Sequence, residues 1–150
     1  RLIWFVSQDR LINPIDGTTP DFVEETTNTG GSAAAKYMTK PVILQNNSTS
    51  LDIRLSANVR STSAIKMYYR VTSAEDVRKL GDVPWRAFNS DGTSDSAVTP
   101  ALDDITFREH KFSVSDLPAF TAFSLKVVMT GSVSSYPPLI KDMRGIALAV

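Results

Sequence analysis

Apolar and polar side chains alternate with a period of two along much of this chain. The segment AIKMYYRVTS, residues 64–73, shows the pattern most clearly. One side of it carries Ile65, Met67, Tyr69 and Val71. The other side carries Lys66, Tyr68, Arg70 and Thr72. Successive side chains of a β-strand point to opposite faces of the sheet, so the alternation predicts a half-buried strand.

The same period predicts further strands on both sides of this segment. Residues 51–60 place Leu51, Leu55 and their alternate neighbours inward, and residues 120–130 place Leu125 inward and Lys126 on the solvent face. Shorter strands are predicted at residues 2–6, 37–45, 84–88, 105–114 and 139–150, and one helical turn at residues 74–80. Six to eight strands with almost no helix predict an all-β fold, an antiparallel β-sandwich of jelly-roll-like type.

Residues 7–36 lack this periodicity. They contain the turn-forming pairs Asn13-Pro14, Asp16-Gly17, Thr19-Pro20 and Gly30-Gly31. We predict two parts: an N-terminal strand plus a long irregular arm or linker at residues 1–36, and the β-sandwich domain at residues 37–150. Phe22 is a candidate anchor for the arm. An arm ordered against a neighbouring subunit and a mobile linker both fit this composition.

Composition narrows the classes of partner. Sixteen basic and sixteen acidic side chains cancel, so the basic surplus that is typical of nucleic-acid binders is missing. The absence of cysteine excludes disulfides and thiolate metal sites. No apolar run approaches the roughly 18 residues that a membrane span needs. We therefore predict no nucleic-acid partner and no membrane insertion. Because the chain begins with Arg1, we also expect it to be part of a longer or processed protein.

Catalytic and metal-binding patterns are weak. His110 is the single histidine and no motif surrounds it, so we interpret it as structural. The segment DGTSD, residues 91–95, spaces oxygen-bearing side chains like a calcium loop, and Asp91 and Asp95 are its candidate ligands. A solvated turn explains the same residues, because Asp, Gly and Ser are common in turns. We predict no catalytic residue and no cofactor.

The aromatic side chains allow two interpretations. Trp4, Tyr37, Tyr68, Trp85 and Tyr136 could form a platform that binds sugars, with Tyr68 on the polar face of its strand as the best exposed candidate. Aromatics at strand spacing more often pack against the sheet or the core. The pattern alone leaves both open.

Six segments in order carry a family resemblance. They are KYMTKPVIL (36–44), IKMYYRVTSAED (65–76), DVPW (82–85), FREHKFSV (107–114), FTAFSLKVVMTGS (120–132) and PPLIKDMRGIAL (137–148). Together they resemble a domain found in tail and baseplate proteins of tailed bacteriophages, notably myoviruses, including those of cyanobacterial hosts. The resemblance covers about residue 36 to the end and leaves the first 35 residues without a match.

The resemblance implies a virion structural protein, a component of a phage tail baseplate that acts through protein–protein contacts and is not an enzyme. It implies a C-terminal place in a longer chain, assembly in the host cytoplasm, and other tail or baseplate subunits as partners within a symmetric assembly. Arms and strand edges are common means of gripping neighbours. The candidate contact residues are Phe22, Tyr68, Tyr136, Pro137 and Pro138, the last three because two prolines would hold an exposed segment extended.

The alternative function belongs to a different class. A carbohydrate-binding β-sandwich of a receptor-binding fibre or adhesin would bind a host glycan through exposed Tyr68 or Trp85. Calcium at Asp91 and Asp95 would support such a site.

Overall fold

The computed structural model describes residues 3–4, 23–33, 35–133 and 135–149. These residues form nine β-strands and two short 3-10 turns, Leu80–Asp82 and Phe88–Ser90. The strands are β1 (Ile3–Trp4), β2 (Lys36–Met38), β3 (Val42–Ser48), β4 (Ser50–Asn58), β5 (Ser63–Thr72), β6 (Arg86–Ala87), β7 (Arg108–Val114), β8 (Phe120–Gly131) and β9 (Leu139–Leu148). Phe22 and most of the predicted arm lie outside the described residues.

Two antiparallel sheets stack face to face. Sheet one has the strand order β1-β9-β4-β7, and sheet two has the order β2-β8-β5-β6, with β3 also paired to β8. The predicted all-β antiparallel sandwich is confirmed. Among the described residues, no helix has the length and apolar character that a membrane span requires.

The core lies between the two sheets. Its fully buried side chains come from the alternating positions of β4, β5 and β8 and from two phenylalanines: Leu51, Ile53, Leu55, Met67, Val127, Met129, Phe88 and Phe112. The predicted inward faces of these three strands are therefore correct. Burying one such side chain contributes about 1.5–3 kcal/mol, which is more than an exposed ion pair supplies.

Gly145 marks a close approach between the sheets. A Cβ at this position of β9 would lie 2.9 Å from Cδ1 of Ile53 and 3.6 Å from Cδ1 of Leu125. The pairing of β9 with β4 shifts its register at another place, between Ser56 and Ala57 of β4. Glycine therefore serves here to let β9 come near the core.

The predicted helical turn at residues 74–80 is wrong. The Asp76 carboxylate accepts hydrogen bonds from the Arg78 amide at 2.9 Å and from the Arg78 guanidinium at 3.2 and 3.0 Å. An aspartate that bonds the backbone two residues ahead forms an Asx turn, which competes with a helix. The first of the two 3-10 turns begins only at Leu80.

The predicted strand at residues 105–114 begins three residues later, at Arg108. Asp103 accepts hydrogen bonds from the Thr106 amide at 2.8 Å and the Thr106 hydroxyl at 2.9 Å, which closes a local turn. The buried Asn58 side chain donates to the carbonyls of Asp103 and Thr106 at 2.9 and 2.7 Å. These bonds draw the segment out of the strand direction.

The outer face of sheet one is a neutralised array of charges. Arg54 lies 3.6 Å from Asp52 and 3.4 Å from Glu109, and Arg144 lies 3.0 Å from Glu109 and 3.7 Å from Asp142. All of these groups reach solvent, so each pair adds about 0–1 kcal/mol to stability. The side chains of this face remain hydrated, and their ion pairs add little to the stability of the fold.

The neighbouring residues Leu55 and Arg54 in β4 offer a test of the two faces. Leu55 is fully buried, so Leu55→Ala should lower the free energy of unfolding by about 2–5 kcal/mol, because it leaves a cavity. Arg54→Ala removes only exposed ion pairs and should change it by less than about 1 kcal/mol. Urea unfolding monitored by tryptophan fluorescence measures both. Equal losses from the two variants would contradict the face assignment.

Candidate functional site

Residues 23–33 form a closed loop over the outer face of sheet two, and we call this loop the strap. The Ser32 amide donates to the Val23 carbonyl at 3.0 Å, and the Val23 amide donates to the Ser32 hydroxyl oxygen at 2.9 Å. The Trp85 amide donates to the Thr26 carbonyl at 2.9 Å. The strap is therefore closed on itself and also attached to the sheet.

Lys126 projects from β8 into the space beneath the strap, and none of its surface is exposed. Its ammonium donates to the Glu25 main-chain carbonyl at 2.5 Å and to the Glu25 carboxylate at 3.0 Å. The rings of Tyr68 and Trp85 have their centroids 5.1 and 4.9 Å from the same nitrogen. Two acceptors and two aromatic rings thus replace the water that a lysine ammonium ordinarily keeps.

Lys126 and Tyr68 are buried, although the sequence predicts that both are exposed. The period of two places both on the outer face of sheet two, as observed, but both were expected to meet solvent. The strap covers them, and only 8% of Tyr68 is exposed. Trp85 is 2% exposed. Tyr68 and Trp85 therefore follow the packing interpretation of the aromatic side chains, and neither offers an exposed contact or a sugar platform.

Glu25 makes the contacts that hold the strap to Lys126 and Lys36. Its carboxylate accepts hydrogen bonds from the Ala33 amide at 2.8 Å and from Lys36 at 3.2 Å, in addition to Lys126. A Cβ at Gly31 would overlap this carboxylate, so only glycine fits there. The Lys36 ammonium also donates to the Gly31 carbonyl at 2.8 Å. The strap thus folds around one carboxylate.

The surroundings of Glu25 and Lys126 set their pKa values. Burial raises the pKa of Glu25, but the Ala33 amide and the ammonium groups of Lys126 and Lys36 outweigh it, so the pKa lies below its ordinary value. Burial lowers the pKa of Lys126, and the contact with Glu25 opposes this shift only in part. A general acid at neutral pH needs a raised carboxyl pKa. The Glu25 carboxylate is therefore charged at neutral pH, which suits it to fastening the strap and not to acting as a general acid.

The calcium candidates Asp91 and Asp95 brace a turn. Asp91 accepts hydrogen bonds from the Thr93 hydroxyl at 2.6 Å and amide at 3.1 Å. Asp95 accepts them from the Ser113 hydroxyl at 2.6 Å, the Ser113 amide at 3.0 Å and the Asn89 side chain at 2.9 Å. Within the described part of the chain, no three metal-ligating side chains come together. The turn interpretation accounts for all of these contacts.

The pKa shifts at this turn follow from the same donors. The Thr93 hydroxyl and amide lower the pKa of Asp91. Partial burial raises the pKa of Asp95, but the donors of Ser113 and Asn89 lower it by more. Both carboxylates are therefore charged at neutral pH and committed to local hydrogen bonds.

His110 lies in β7 and is 7% exposed. Its Nδ1 lies 3.1 Å from the Arg108 carbonyl oxygen. Burial lowers the pKa of His110, and contacts with the main chain at Arg108 and Leu55 oppose the shift in part. A buried imidazole bonded to its own strand is consistent with the structural role that the sequence predicts.

The predicted contact segment around Tyr136 is exposed only at its start. Tyr136 is 46% exposed, and the Arg60 guanidinium lies 4.4 Å from the centroid of its ring. Pro137 is half-buried and Pro138 is buried. Strand β9 begins directly afterwards, at Leu139, inside sheet one. The expected exposure of the two prolines is therefore wrong, because they lead into a paired strand.

The outer edge of sheet two, formed by β2 and β3, carries exposed apolar side chains, and we call it the open edge. Both strands pair with β8, and none of the described residues pairs with their other side. The exposed fractions along it are 38% for Tyr37, 53% for Met38, 40% for Val42 and 76% for Ile43. In the sequence, Tyr37 stands out only as one of the aromatic residues, and Pro41 limits the predicted strand at residues 37–45 to a sheet edge or a strand start.

Sequence reasoning also missed the contact between the strap and Lys126. The available signal was that outer positions of sheet two are partly apolar, since Tyr68 and Val128 share that face with Lys126. An apolar outer face needs a cover. The sequence does not show which segment supplies it, because Glu25 and Lys126 are 101 residues apart.

Comparisons with known proteins add little beyond this geometry. No family model matches the sequence, and no curated protein matches it significantly. One solved structure, of infectious bursal disease virus (Gx strain), aligns with 74% of this chain at 11% sequence identity and a TM-score of 0.43. The alignment spans 26% of that chain's length.

Removing the carboxylate of Glu25 should weaken the fold strongly. Glu25→Gln leaves the Lys126 ammonium buried without a countercharge, and we expect the free energy of unfolding to fall by about 3–5 kcal/mol at neutral pH. The double variant Glu25→Gln with Lys126→Met should regain a large part of this loss, because methionine fills the site without a charge. Urea unfolding of the two single variants and the double variant measures the coupling. Additive losses would contradict a buried, coupled pair.

The lowered pKa of Glu25 makes stability depend on pH in the acid range. A carboxyl whose pKa is lower in the folded state stabilises the fold at neutral pH, and the contribution disappears as the pH falls through the folded-state pKa. The difference in unfolding free energy between the wild type and Glu25→Gln should therefore stay constant around neutral pH and shrink as the pH falls below the ordinary glutamate pKa of 4.5. Urea unfolding at neutral and acid pH measures it, and a difference that also stays constant in the acid range would refute the assignment.

Proposed function

We propose that this chain is a structural subunit of a phage tail baseplate that binds neighbouring subunits and has no enzymatic activity. The open edge is the observation that carries the proposal. Main-chain donors and acceptors that pair with no strand of the described residues lie there beside exposed Tyr37, Met38, Val42 and Ile43. Such an edge is a template for pairing with another chain. The resemblance of six sequence segments to tail and baseplate domains supports the kind of assembly.

The open edge suits a defined contact more than open-ended growth. Lys40 and Pro41 interrupt it between β2 and β3, and the pairing of β3 with β8 shifts register between Ile43 and Ser48. Charges, prolines and irregular pairing are the means by which natural proteins limit edge-to-edge association. A partner strand could therefore add along only a short stretch, as a specific subunit contact requires.

The rest of the described chain fits a subunit whose role is to be held in place. A buried core joins the two sheets, the strap covers the outer face of sheet two, and the aspartates of the candidate calcium loop brace a turn. The carbohydrate-binding alternative loses its aromatic platform, because Tyr68 and Trp85 are covered.

The location of the protein is tested on phages whose genomes encode it. Gold-labelled antibodies raised against the purified domain should mark the baseplate end of the tail in electron micrographs. Labelling of the head would refute a baseplate location. A baseplate that stays unlabelled in disrupted virions, although mass spectrometry detects the protein in them, would refute it as well. Detection only outside the particle would refute a virion role.

The open edge itself is tested with a matched pair of substitutions. Ile43 in β3 is 76% exposed and Ile105 in a loop is 79% exposed, so lysine should be tolerated by the isolated fold at both positions. Ile43→Lys should abolish incorporation into particles, because it places a charge within the edge contact. Ile105→Lys should assemble normally. Circular dichroism confirms that both variants fold, and normal assembly of Ile43→Lys would remove the open edge from the proposal.

A further inference from the structure

A second feature of the surface is a cavity at one end of the sandwich. It has a volume of about 320 Å³ and lies between the loop that follows β5 and the loop that precedes β8. Three arginines, Arg70, Arg78 and Arg86, line it together with apolar side chains that include Pro118 and Phe120. Cationic and apolar groups therefore face the same enclosed space.

The positive charge of this cavity is only partly neutralised. Arg78 forms a two-point contact with Asp76, whose carboxylate is the only one from the described residues that lines the cavity. Arg86 is exposed, and no described residue forms an ion pair with it. Three arginines against one aspartate leave an excess of two positive charges in a chain whose formal net charge is zero. On the outer face of sheet one, by contrast, Arg54 and Arg144 both have carboxylate partners.

Arg70 is held in position and keeps unused donor capacity. Its guanidinium stacks on the ring of Trp85, with 4.2 Å between the guanidinium carbon and the ring centroid. Its Nη1 has a single acceptor, the Gly81 carbonyl at 3.4 Å, and its buried Nε–H has none among the described residues. Arg70 is half-buried, and this burial lowers the pKa of its guanidinium. A planar guanidinium fixed in this way is suited to a carboxylate, which accepts two parallel hydrogen bonds.

We propose that this cavity binds an acidic side chain of a neighbouring protein subunit, with the carboxylate between Arg70 and Arg86 and an adjacent apolar side chain against Pro118 and Phe120. The mixed lining favours a protein partner, because arginine beside apolar surface is typical of the centres of protein interfaces. An acidic sugar is disfavoured, because the only tryptophan nearby, Trp85, is covered by Arg70. The choice of a subunit as partner rests on the proposed function; the carboxylate site itself does not.

A pair of short capped peptides tests the site in solution. One carries two glutamates between two leucines, and the other carries two glutamines in their place. Isothermal titration of the purified chain should show binding of the glutamate peptide that weakens with added salt, and about tenfold weaker binding or none for the glutamine peptide. Equal binding of both peptides, or of neither at millimolar concentration, would overturn the proposal.

Variants then locate the binding. Arg86→Gln is the main test, because Arg86 is exposed and its loss should leave the fold intact; Arg70→Gln is the second. Each should weaken binding of the glutamate peptide about tenfold. Arg144→Gln removes an exposed arginine from the outer face of sheet one and should leave binding unchanged. If Arg144→Gln weakens binding as much as Arg86→Gln, the attraction is general and the site is refuted.

A third titration separates the possible sources of carboxylate. An oligosaccharide of glucuronate should bind less well than the glutamate peptide, and tighter binding of the oligosaccharide would replace the protein partner with a glycan. All of these titrations use the purified chain, so their results do not depend on where the protein lies in the virion. Failure of the peptide to bind therefore refutes the cavity, whereas failure of baseplate labelling refutes the proposed function.

Discussion

Sheet two has two faces that need protection from water, and this constraint shapes most of the molecule. Its inner face is covered by sheet one, as in any sandwich. Its outer face carries Tyr68, Trp85 and Val128, which are also buried. The strap covers them, and the ion pair between Glu25 and Lys126 fastens the strap to the middle of the sheet. The strap depends on a charged pair because most of its eleven residues are polar or small, so that few apolar side chains are available to attach it to the sheet.

The use of a buried charge has a structural consequence. A hydrophobic contact would tolerate several positions of the strap, whereas an ammonium between one carboxylate and two aromatic rings accepts few. The geometry of residues 23–33 is therefore fixed relative to β8, and the Gly31 position follows from it. Because the chain enters β2 only three residues after Ala33, the same contact also sets where the open edge begins.

The surfaces that remain available are of different kinds. The outer face of sheet one has paired charges and stays hydrated. The open edge offers main-chain groups and apolar side chains, and the arginine cavity offers a positive charge that the described residues do not neutralise. Two complementary surfaces, one apolar and one cationic, would give a subunit both affinity and orientation in an assembly.

The sequence by itself determined the long strands β4, β5 and β8 and their faces. The period of two in β4, β5 and β8 specifies which side chains enter the core, because a shift by one residue would expose all of them. It also favoured a structural role for His110, with which the burial of this residue is consistent, and offered the turn as one explanation of Asp91 and Asp95. Asx turns at Asp76 and Asp103 escaped it, because a local hydrogen bond from a side chain leaves no periodic trace.

Only the tertiary structure decided which outward side chains are dry. Lys126 follows the strand pattern of an exposed residue, and no local signal distinguishes it from Lys111, which is exposed. Its burial depends on a loop 101 residues away in the chain. The same holds for Arg70, whose stacking on Trp85 and place in a cavity arise where separate loops meet. Periodicity reports the direction of a side chain from its own strand, whereas burial depends on what the rest of the chain places over it.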